Sequence, residues 1–175
     1  MSSSTVEQGI LQQIADPTLV QAIQRSVARA LDMCDLKVRC VGVSSVPLSD
    51  QGRVTAMVGI YGKISGFITV NFSEQLAVKA VEGLLQDSFP QFTSQVIDGV
   101  GELTNIIAGG IKSALSTTRW AFSNITVPSV IVGTGYQIAY ARGLDFVATQ
   151  FEYTGEEIIL LHERFVNVSL SMLPL

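Results

Sequence analysis

The segment DGVGELTNIIAGG, residues 98–110, places a carboxylate and an amide where both could act on one molecule. On an α-helix, which turns by about 100° per residue, the side chains of Glu102 and Asn105 lie about 60° apart and one turn along the axis. Their tips can therefore reach the same bound group. A carboxylate pairs with a cation, and an uncharged amide both donates and accepts hydrogen bonds. The pair is suited to holding or positioning another molecule.

Asp98 and Gly109 share this face of the predicted helix. A glycine inside a helix costs about 0.5–1 kcal/mol relative to alanine, and Gly110 adds a second penalty. One interpretation is a solvated helix face weakened by two glycines. The other is a docking surface, on which a second molecule lies flat against the bare helix and meets Glu102 and Asn105. The spacing is compatible with both.

The apolar residues of this region recur with the period of an α-helix. They predict a helix over about residues 94–116, which follows the break at Pro90 and is capped by Thr93 or Ser94. The apolar stripe lies opposite the polar face and is expected to face the core. Its predicted members are Val96, Val100, Leu103, Ile107, Ile111 and Ala114.

The elements that precede this helix have clear local signals. Asp16 as N-cap with Pro17 at the first helical position predicts one helix, and Ser73 is predicted to cap another over SEQLAVKAVEGLLQ. Between them, KVRCVGVSSV predicts a strand and RVTAMVGIYGKISGFITVNF predicts a β-hairpin. The hairpin is expected to turn around residues 61–63, where Gly62 would supply a positive φ.

Three β-like runs follow the long helix: NITVPSVIVG, DFVATQFEYTG and EEIILLHERFVNVSL. The last two are predicted to form a hairpin across Gly155. Helices and strands are segregated and do not alternate as βαβ units, so we expect an α+β fold with a mainly antiparallel sheet packed against long helices. The 175 residues suit a single domain, 1–175, in which the Ser-rich residues 1–9 form a mobile tail.

Composition excludes several classes of function. The formal net charge is −4 and the basic residues are scattered, so the chain lacks the concentrated positive face that nucleic acid requires. Cys34 and Cys40 form neither a metal-type spacing nor a disulfide framework, which favours a reducing compartment. No signal-peptide pattern is present and no apolar run approaches the roughly 18 residues that span a bilayer. We expect a cytoplasmic protein without a membrane partner, and its mean hydropathy of +0.40 predicts a buried interface, most simply that of a homodimer.

Other residues that could carry chemistry are predicted to be structural. His162 is the only histidine and falls in a predicted strand with no serine or cysteine constellation, so a surface or edge position is expected. Trp120 and Phe122 are predicted to close the core. The glycine-rich GTGYQIAYARG does not precede a helix and is therefore no phosphate cradle.

The pattern Asp98-x-x-x-Glu102-x-x-Asn105, followed later by Pro128, resembles the signature of the CheC/CheX/FliY chemotaxis phosphatases. In that family an Asp or Ser, a Glu, an Asn and a later Pro recur in this order and at this spacing. The hairpin GKISGFITVNF, which leads into a capped helix, is similar to the segment before the signature. One copy of the signature is present, as in CheX, so the resemblance implies a CheX-like domain over essentially the whole chain beyond the tail.

The resemblance implies that the chain dephosphorylates the aspartyl phosphate of a CheY-type response-regulator receiver domain. Asn105 would orient the attacking water, and Glu102 would pair with the receiver's active-site lysine. Asp98 and Gly109 would be partner-binding positions, and Pro128 would fix a strand edge or bend beneath the site. The alternative for Asp98 is an acid near the helix N-terminus that is favourable to the helix dipole and contacts no partner. The chain would need no cofactor of its own, because the Mg2+ would belong to the receiver. Relatives of the CheX type pair through sheet edges into dimers. The alternative is a CheX-like module that binds a receiver or flagellar component without hydrolysis.

Overall fold

Three α-helices pack on one face of a seven-stranded antiparallel sheet in the computed structural model of this chain, which describes residues 15–47, 53–136, 138–140 and 143–174. The predicted α+β class with a mainly antiparallel sheet is confirmed. The prediction of a mobile tail over residues 1–9 falls outside the described residues.

Each helix begins at a cap that the sequence predicts. The helices are α1 (Pro17–Asp32), α2 (Glu74–Leu85) and α3 (Ser94–Leu115). The side chains of Asp16, Ser73 and Thr93 each accept a hydrogen bond from a backbone N–H of the first turn, at 2.9, 3.1 and 3.4 Å. These bonds satisfy donors that a helix start otherwise leaves free. None of the helices in the described ranges has the length and apolar character needed to cross a membrane.

The strands form one sheet in which the neighbours are β1-β6-β7-β3-β2-β4, and β5 also pairs with β2. Their bounds are β1 (Val38–Ser44), β2 (Val54–Gly62), β3 (Ile64–Phe72), β4 (Phe122–Ile125), β5 (Ser129–Val132), β6 (Asp145–Tyr153) and β7 (Phe165–Pro174). The central β3 is hydrogen-bonded along its length to both β2 and β7. One edge of the sheet is the single strand β1, and the other is formed by the two short strands β4 and β5, which both pair with β2.

The core lies between the sheet and the helices. Residues of the central strands that face the helix layer are buried at alternate positions, as a strand with a two-residue period requires. In β3 the fully buried residues of this face are Ile64, Ile68, Val70 and Phe72, and Gly66 between them is half-buried. Helix α3 is in the middle of the helical layer, since it contacts α1, α2 and strands β2 to β5. Its position is therefore fixed from several sides.

A row of polar side chains crosses the other face of the sheet. Tyr136 Oη lies 2.5 Å from Thr55 Oγ1, which accepts a hydrogen bond of 2.7 Å from Asn71 Nδ2. Gln150 Nε2 donates to Asn167 Oδ1 at 3.0 Å, and Asn71 and Asn167 are opposite each other in the β3–β7 register. Asn71 alternates with the core-facing residues of β3 and so points away from the helices, yet it is buried. Its hydrogen bond to Thr55 on the neighbouring strand helps to make that burial possible.

The two strands predicted to form a hairpin across Gly155 do pair, but the tight turn predicted to connect them is wrong. Strands β6 and β7 are antiparallel neighbours, but β7 begins only at Phe165, after a 3-10 helix over Leu161–Arg164. Tertiary contacts hold the intervening segment over α2: Lys79 Nζ lies 3.3 Å from Glu157, and Ser73 Oγ donates to the carbonyl of Glu163 at 2.7 Å. His162 therefore lies exposed in the 3-10 helix and not in a strand.

Three smaller predictions also need correction. Gly62 does not have a positive φ, and a Cβ there would lie 2.6 Å from the backbone nitrogen of Ser123, so close approach of β4 accounts for this glycine. Ala114 is exposed, because it lies at the rim of a groove between α1 and α3. The predicted strand NITVPSVIVG is divided into β4 and β5 by residues 126–128, since Pro128 cannot donate a ladder hydrogen bond.

Candidate active site

Helix α3 runs unbroken for 22 residues and presents the predicted polar face to solvent. On its inner side Val96, Val100, Leu103, Ile107 and Ile111 are all completely buried. Asp98 and Glu102 are exposed on the outer side, and Asn105 and Gly109 are half-buried. The four predicted site residues therefore lie along one face of one rigid element, as their spacing predicts.

The two central side chains are available to another molecule. Within the described ranges, neither Glu102 nor Asn105 forms a side-chain hydrogen bond or an ion pair with another residue. A carboxylate and an amide that are not used inside the protein keep their full capacity to bind. Their positions come from the helix backbone alone, so the separation between them is set by helical geometry.

The glycines of α3 have different structural reasons. A Cβ on Gly99 would lie 2.5 Å from Cγ1 of Val81 on α2, and one on Gly110 would lie 3.0 Å from Cβ of Ser26 on α1. These two glycines allow the neighbouring helices to pack closely. A Cβ on Gly109 would meet no heavy atom within 4 Å. Gly109 therefore leaves bare backbone facing open space beside Asn105, which internal packing does not explain.

Pro128 supports the turn of α3 that carries Glu102. A Cβ on Gly101 would be 3.5 Å from Cγ of Pro128 and 3.7 Å from Cγ2 of Val130, both ordinary contact distances. Gly101 is buried, so the helix backbone rests directly on the junction of β4 and β5 at this point. This arrangement agrees with the expectation that Pro128 fixes the sheet edge beneath the site. The Gly101 contact itself was missed, since glycine has no side chain to enter a hydrophobic pattern.

A recess of about 690 Å³ adjoins the polar face at its C-terminal end. It is bounded by the last turns of α3, the β2–β3 turn and β4, and it includes Gly109, Lys112 and Lys63. Lys112 follows Asn105 by seven residues and so could have been placed on this face from the helical period. Lys63 could not, because it arrives from the hairpin through tertiary folding.

The remaining candidates are structural or isolated. Trp120 is buried, and its Nε1 donates to Oδ2 of Asp16 at 2.8 Å; Phe122 is buried as predicted. Both cysteines are free; burial, with a smaller effect of Asp35, raises the pKa of the Cys34 thiol to about 11, so that thiol is protonated at neutral pH. Among the described residues no group of three or more His, Cys, Asp or Glu side chains is arranged to hold a metal ion. The polar face of α3 remains the strongest candidate site.

The face can act chemically by positioning, since it offers an amide and a carboxylate and no activated nucleophile. Catalysis by a hydroxyl or thiol nucleophile needs a Ser, Cys or Thr beside a base, and within the described ranges neither Glu102 nor Asn105 has such a neighbour in hydrogen-bond contact. A reaction in which water is the nucleophile and the substrate is already activated needs no protein nucleophile, only groups that position the water and the substrate. The exposed helix face leaves room for another molecule to present such a substrate.

Comparison with known proteins gives a family match. The model of the family described as chemotaxis phosphatase CheX matches residues 54–152, which is more than half of the chain and includes all of α3. Comparison with the curated proteins gives no match.

Solved structures of chemotaxis proteins share the fold. The chain is similar to CheX from Vibrio vulnificus, with 21% sequence identity, a TM-score of 0.75, and coverage of 89% of this chain and 99% of that one. It is also similar to CheX from Desulfovibrio desulfuricans, with 26% identity, a TM-score of 0.73 and coverage of 87% and 98%. A third similar chain comes from the CheX–CheY–BeF3–Mg2+ complex of Borrelia burgdorferi, with 19% identity, a TM-score of 0.71 and coverage of 87% and 96%.

Proposed function

Because the chain belongs to the chemotaxis phosphatase CheX family, we propose that it accelerates hydrolysis of the aspartyl phosphate on a CheY-type receiver domain. The observation that carries the proposal is the exposed turn of α3, where Glu102 and Asn105 lie side by side without partners among the described residues. The similarity to a CheX chain from a complex with CheY supports the class of partner. The proposal includes a cytoplasmic location, where such receivers act.

In this proposal Asn105 orients the attacking water. An acyl phosphate is already activated, so its hydrolysis depends mainly on a water aligned in line with the leaving oxygen and on charge stabilisation around the phosphoryl group. The amide oxygen accepts a hydrogen bond from the water, and the amide carries no charge that would repel the phosphoryl oxygens. A carboxylate at the same position would be repelled by them.

Glu102 has a different role, because its charge keeps it away from the phosphoryl group. We assign it to an ion pair with the active-site lysine of the receiver, which would anchor α3 and bring Asn105 to the water. Gly109 allows the receiver to approach the helix backbone, and Asp98 contributes a peripheral contact. The Mg2+ ion would be held by the receiver, which supplies the phosphorylated aspartate.

Phosphate release from a phosphorylated receiver in the presence of Mg2+ tests the assignment. We expect the wild-type protein to accelerate release, and Asn105→Ala to slow the accelerated rate roughly tenfold to a hundredfold, or about 1.4–2.7 kcal/mol in activation free energy. Docking should be largely preserved, since Asn105 holds water and does not anchor the partner. Asn105→Asp should be at least as slow as the alanine variant, because it adds charge.

Gln21→Ala provides a matched control, as Gln21 is an exposed amide on α1 and is not part of the polar face of α3. It should retain the wild-type rate. If wild type binds receivers and leaves the lifetime of their phosphate unchanged, the protein is a receiver-binding or flagellar adaptor. Full activity in the Asn105→Ala variant would show that the amide has another role.

We also propose a homodimer that pairs through a sheet edge. Of the two edges, β1 has a bulge between Cys40 and Gly42 and carries Arg39, features that discourage pairing. Strand β5, with the sequence SVIV, carries no charge and leaves Val132 exposed. The edge formed by β5 is therefore the one on which a second copy of the chain would continue the sheet.

A further inference from the structure

The polar face of α3 does not end at the proposed catalytic pair. Lys112 lies seven residues after Asn105, about 20° away around the helix axis. Beside it opens the recess of about 690 Å³ between the end of α3, the β2–β3 turn and β4. From one end to the other the face has two acids, an amide, a bare glycine and then a basic recess.

Two lysines from distant parts of the chain meet at this recess. Lys112 is half-buried in the last turn of α3, and Lys63 is exposed in the β2–β3 turn. The backbone N–H of Lys63 donates to the carbonyl of Ala121 at 3.1 Å, which fixes the turn beside β4. The site of Lys63 is therefore determined by the fold and not by a freely moving loop.

Neither lysine is neutralised within the described ranges. Lys37 pairs with Asp32, and Lys79 pairs with Glu157, whereas Lys63 and Lys112 have no carboxylate within ion-pair distance there. A cation in the last turn is favourable to the helix dipole by about 0.3–1 kcal/mol, and this explains Lys112. It does not explain Lys63, which is on the hairpin and faces the same recess.

We propose that this basic recess receives an acidic segment of the receiver domain that docks on Glu102 and Asn105, an inference that rests on the proposed function. The docking face would then be bipolar, with Asp98 and Glu102 at one end and Lys63 and Lys112 at the other. Complementary charge at both ends selects one rotation of the receiver about the Asn105 contact. Such complementarity governs encounter and orientation more than the chemical step.

The test measures binding and turnover separately. The probe is a CheY-type receiver domain encoded in the same genome, fluorescently labelled and activated with beryllofluoride and Mg2+, and its dissociation constant is followed by anisotropy at several NaCl concentrations. We expect the Lys63→Glu/Lys112→Glu variant to bind roughly tenfold more weakly at low salt, with the difference shrinking as salt rises. Turnover of the phosphorylated receiver at saturation should fall by a smaller factor than the affinity, because the lysines act on docking and do not contact the reacting atoms.

The chain offers a control with the same change of charge. Arg25 and Arg29 are exposed on α1 and line the groove between α1 and α3, which has only Ser113 in common with the recess, so Arg25→Glu/Arg29→Glu alters the net charge equally at residues that do not line the recess. This control should bind like wild type. Lys63→Gln/Lys112→Gln removes charge without adding any and should give an intermediate loss, and thermal melting of each variant checks that it is folded.

An unchanged dissociation constant in both lysine variants would overturn the inference, and so would an equal loss in the arginine control, which would indicate a net-charge effect. Absence of any binding by wild type would overturn it as well. Weaker binding of the lysine variants with no hydrolysis by wild type would support the recess and refute the proposed enzymatic function. The two proposals can therefore fail separately.

Discussion

At the scale of single residues, the charge of Glu102 is expected to control docking while the amide of Asn105 controls turnover. Glu102→Lys should weaken receiver binding by roughly tenfold or more at low salt, because it replaces an attraction to the receiver lysine with a repulsion. The loss should shrink at high salt, where charge pairs are screened. Anisotropy titrations measure it. Asp98→Lys, one turn earlier and also exposed, should have a smaller effect; an effect larger than that of Glu102→Lys would reverse the assigned roles.

Gly109→Ala is predicted to make the protein more stable and a poorer partner. The added methyl group enters open space, and alanine is the better helix former by about 0.5–1 kcal/mol. The same methyl group would stand between the helix backbone and a docked receiver, so affinity should fall. Urea denaturation and receiver titration give the two readouts. Improved stability with unchanged affinity would show that the receiver does not approach the backbone here.

Gly99→Ala is the control for Gly109→Ala and should have the opposite effect on stability, because its methyl group would lie 2.5 Å from Cγ1 of Val81. That distance forces α2 and α3 apart or displaces a buried side chain, and overpacking of this kind typically costs about 1–3 kcal/mol. Gly99 lies away from the polar face, so the folded variant should bind receivers like wild type. Urea denaturation and receiver titration again give the two readouts. A stabilised Gly99→Ala variant would show that α2 and α3 can adjust to the added methyl group at little cost in free energy.

At the scale of elements, Asp16 joins the start of α1 to the segment that follows α3. Burial raises the pKa of its carboxyl, but hydrogen bonds from the Trp120 indole, the Thr18 backbone and Arg119 outweigh burial and lower the pKa from 3.8 to about 2. Because the folded-state pKa is depressed, the ionised form stabilises the fold above the unfolded-state pKa. This contribution is lost as the pH falls through the folded-state value.

Asp16→Asn isolates that charge, because asparagine is as good an N-cap as aspartate. The variant should have a lower free energy of unfolding than wild type at pH 7, and the difference should close between about pH 4 and pH 2, the range set by the two pKa values. Urea denaturation at pH 7, 4 and 2.5 follows this difference. If it stays constant over the range, the carboxylate is not what links α1 to Trp120.

The helices and the hairpin could be predicted because their signals are local. Asp16, Ser73 and Thr93 cap helices through contacts within one turn, and the alternation of β3 identifies the residues that face the helices. The segment 156–164 could not, since its apolar run suits a strand while its place over α2 depends on a contact from Glu157 to Lys79. The same distinction applies to the proposed site. The shared face of Glu102, Asn105 and Gly109 could be predicted from the helical period, whereas the position of Lys63 at the recess depends on the tertiary fold.

At the scale of the whole molecule, the proposed dimer makes a prediction about two exposed valines. Val132 on β5 and Val41 on β1 are almost equally exposed, at 42% and 43%. Val132→Lys should shift the protein from a dimer towards the 18.8 kDa monomer, because a lysine on an edge strand discourages pairing. Val41→Lys should leave the dimer intact. Light scattering after size-exclusion chromatography gives both masses; dissociation by Val41→Lys alone would move the interface to β1.

The isolation of the Asn105 side chain has an evolutionary consequence. Since no described residue depends on this amide, its loss would leave folding, expression and abundance almost untouched. Purifying selection for a stable fold therefore gives it no protection, and under the proposed function only selection on the signalling output can keep it in a lineage. In that case one nucleotide substitution would turn a descendant of this protein into a non-hydrolysing competitor for the receiver.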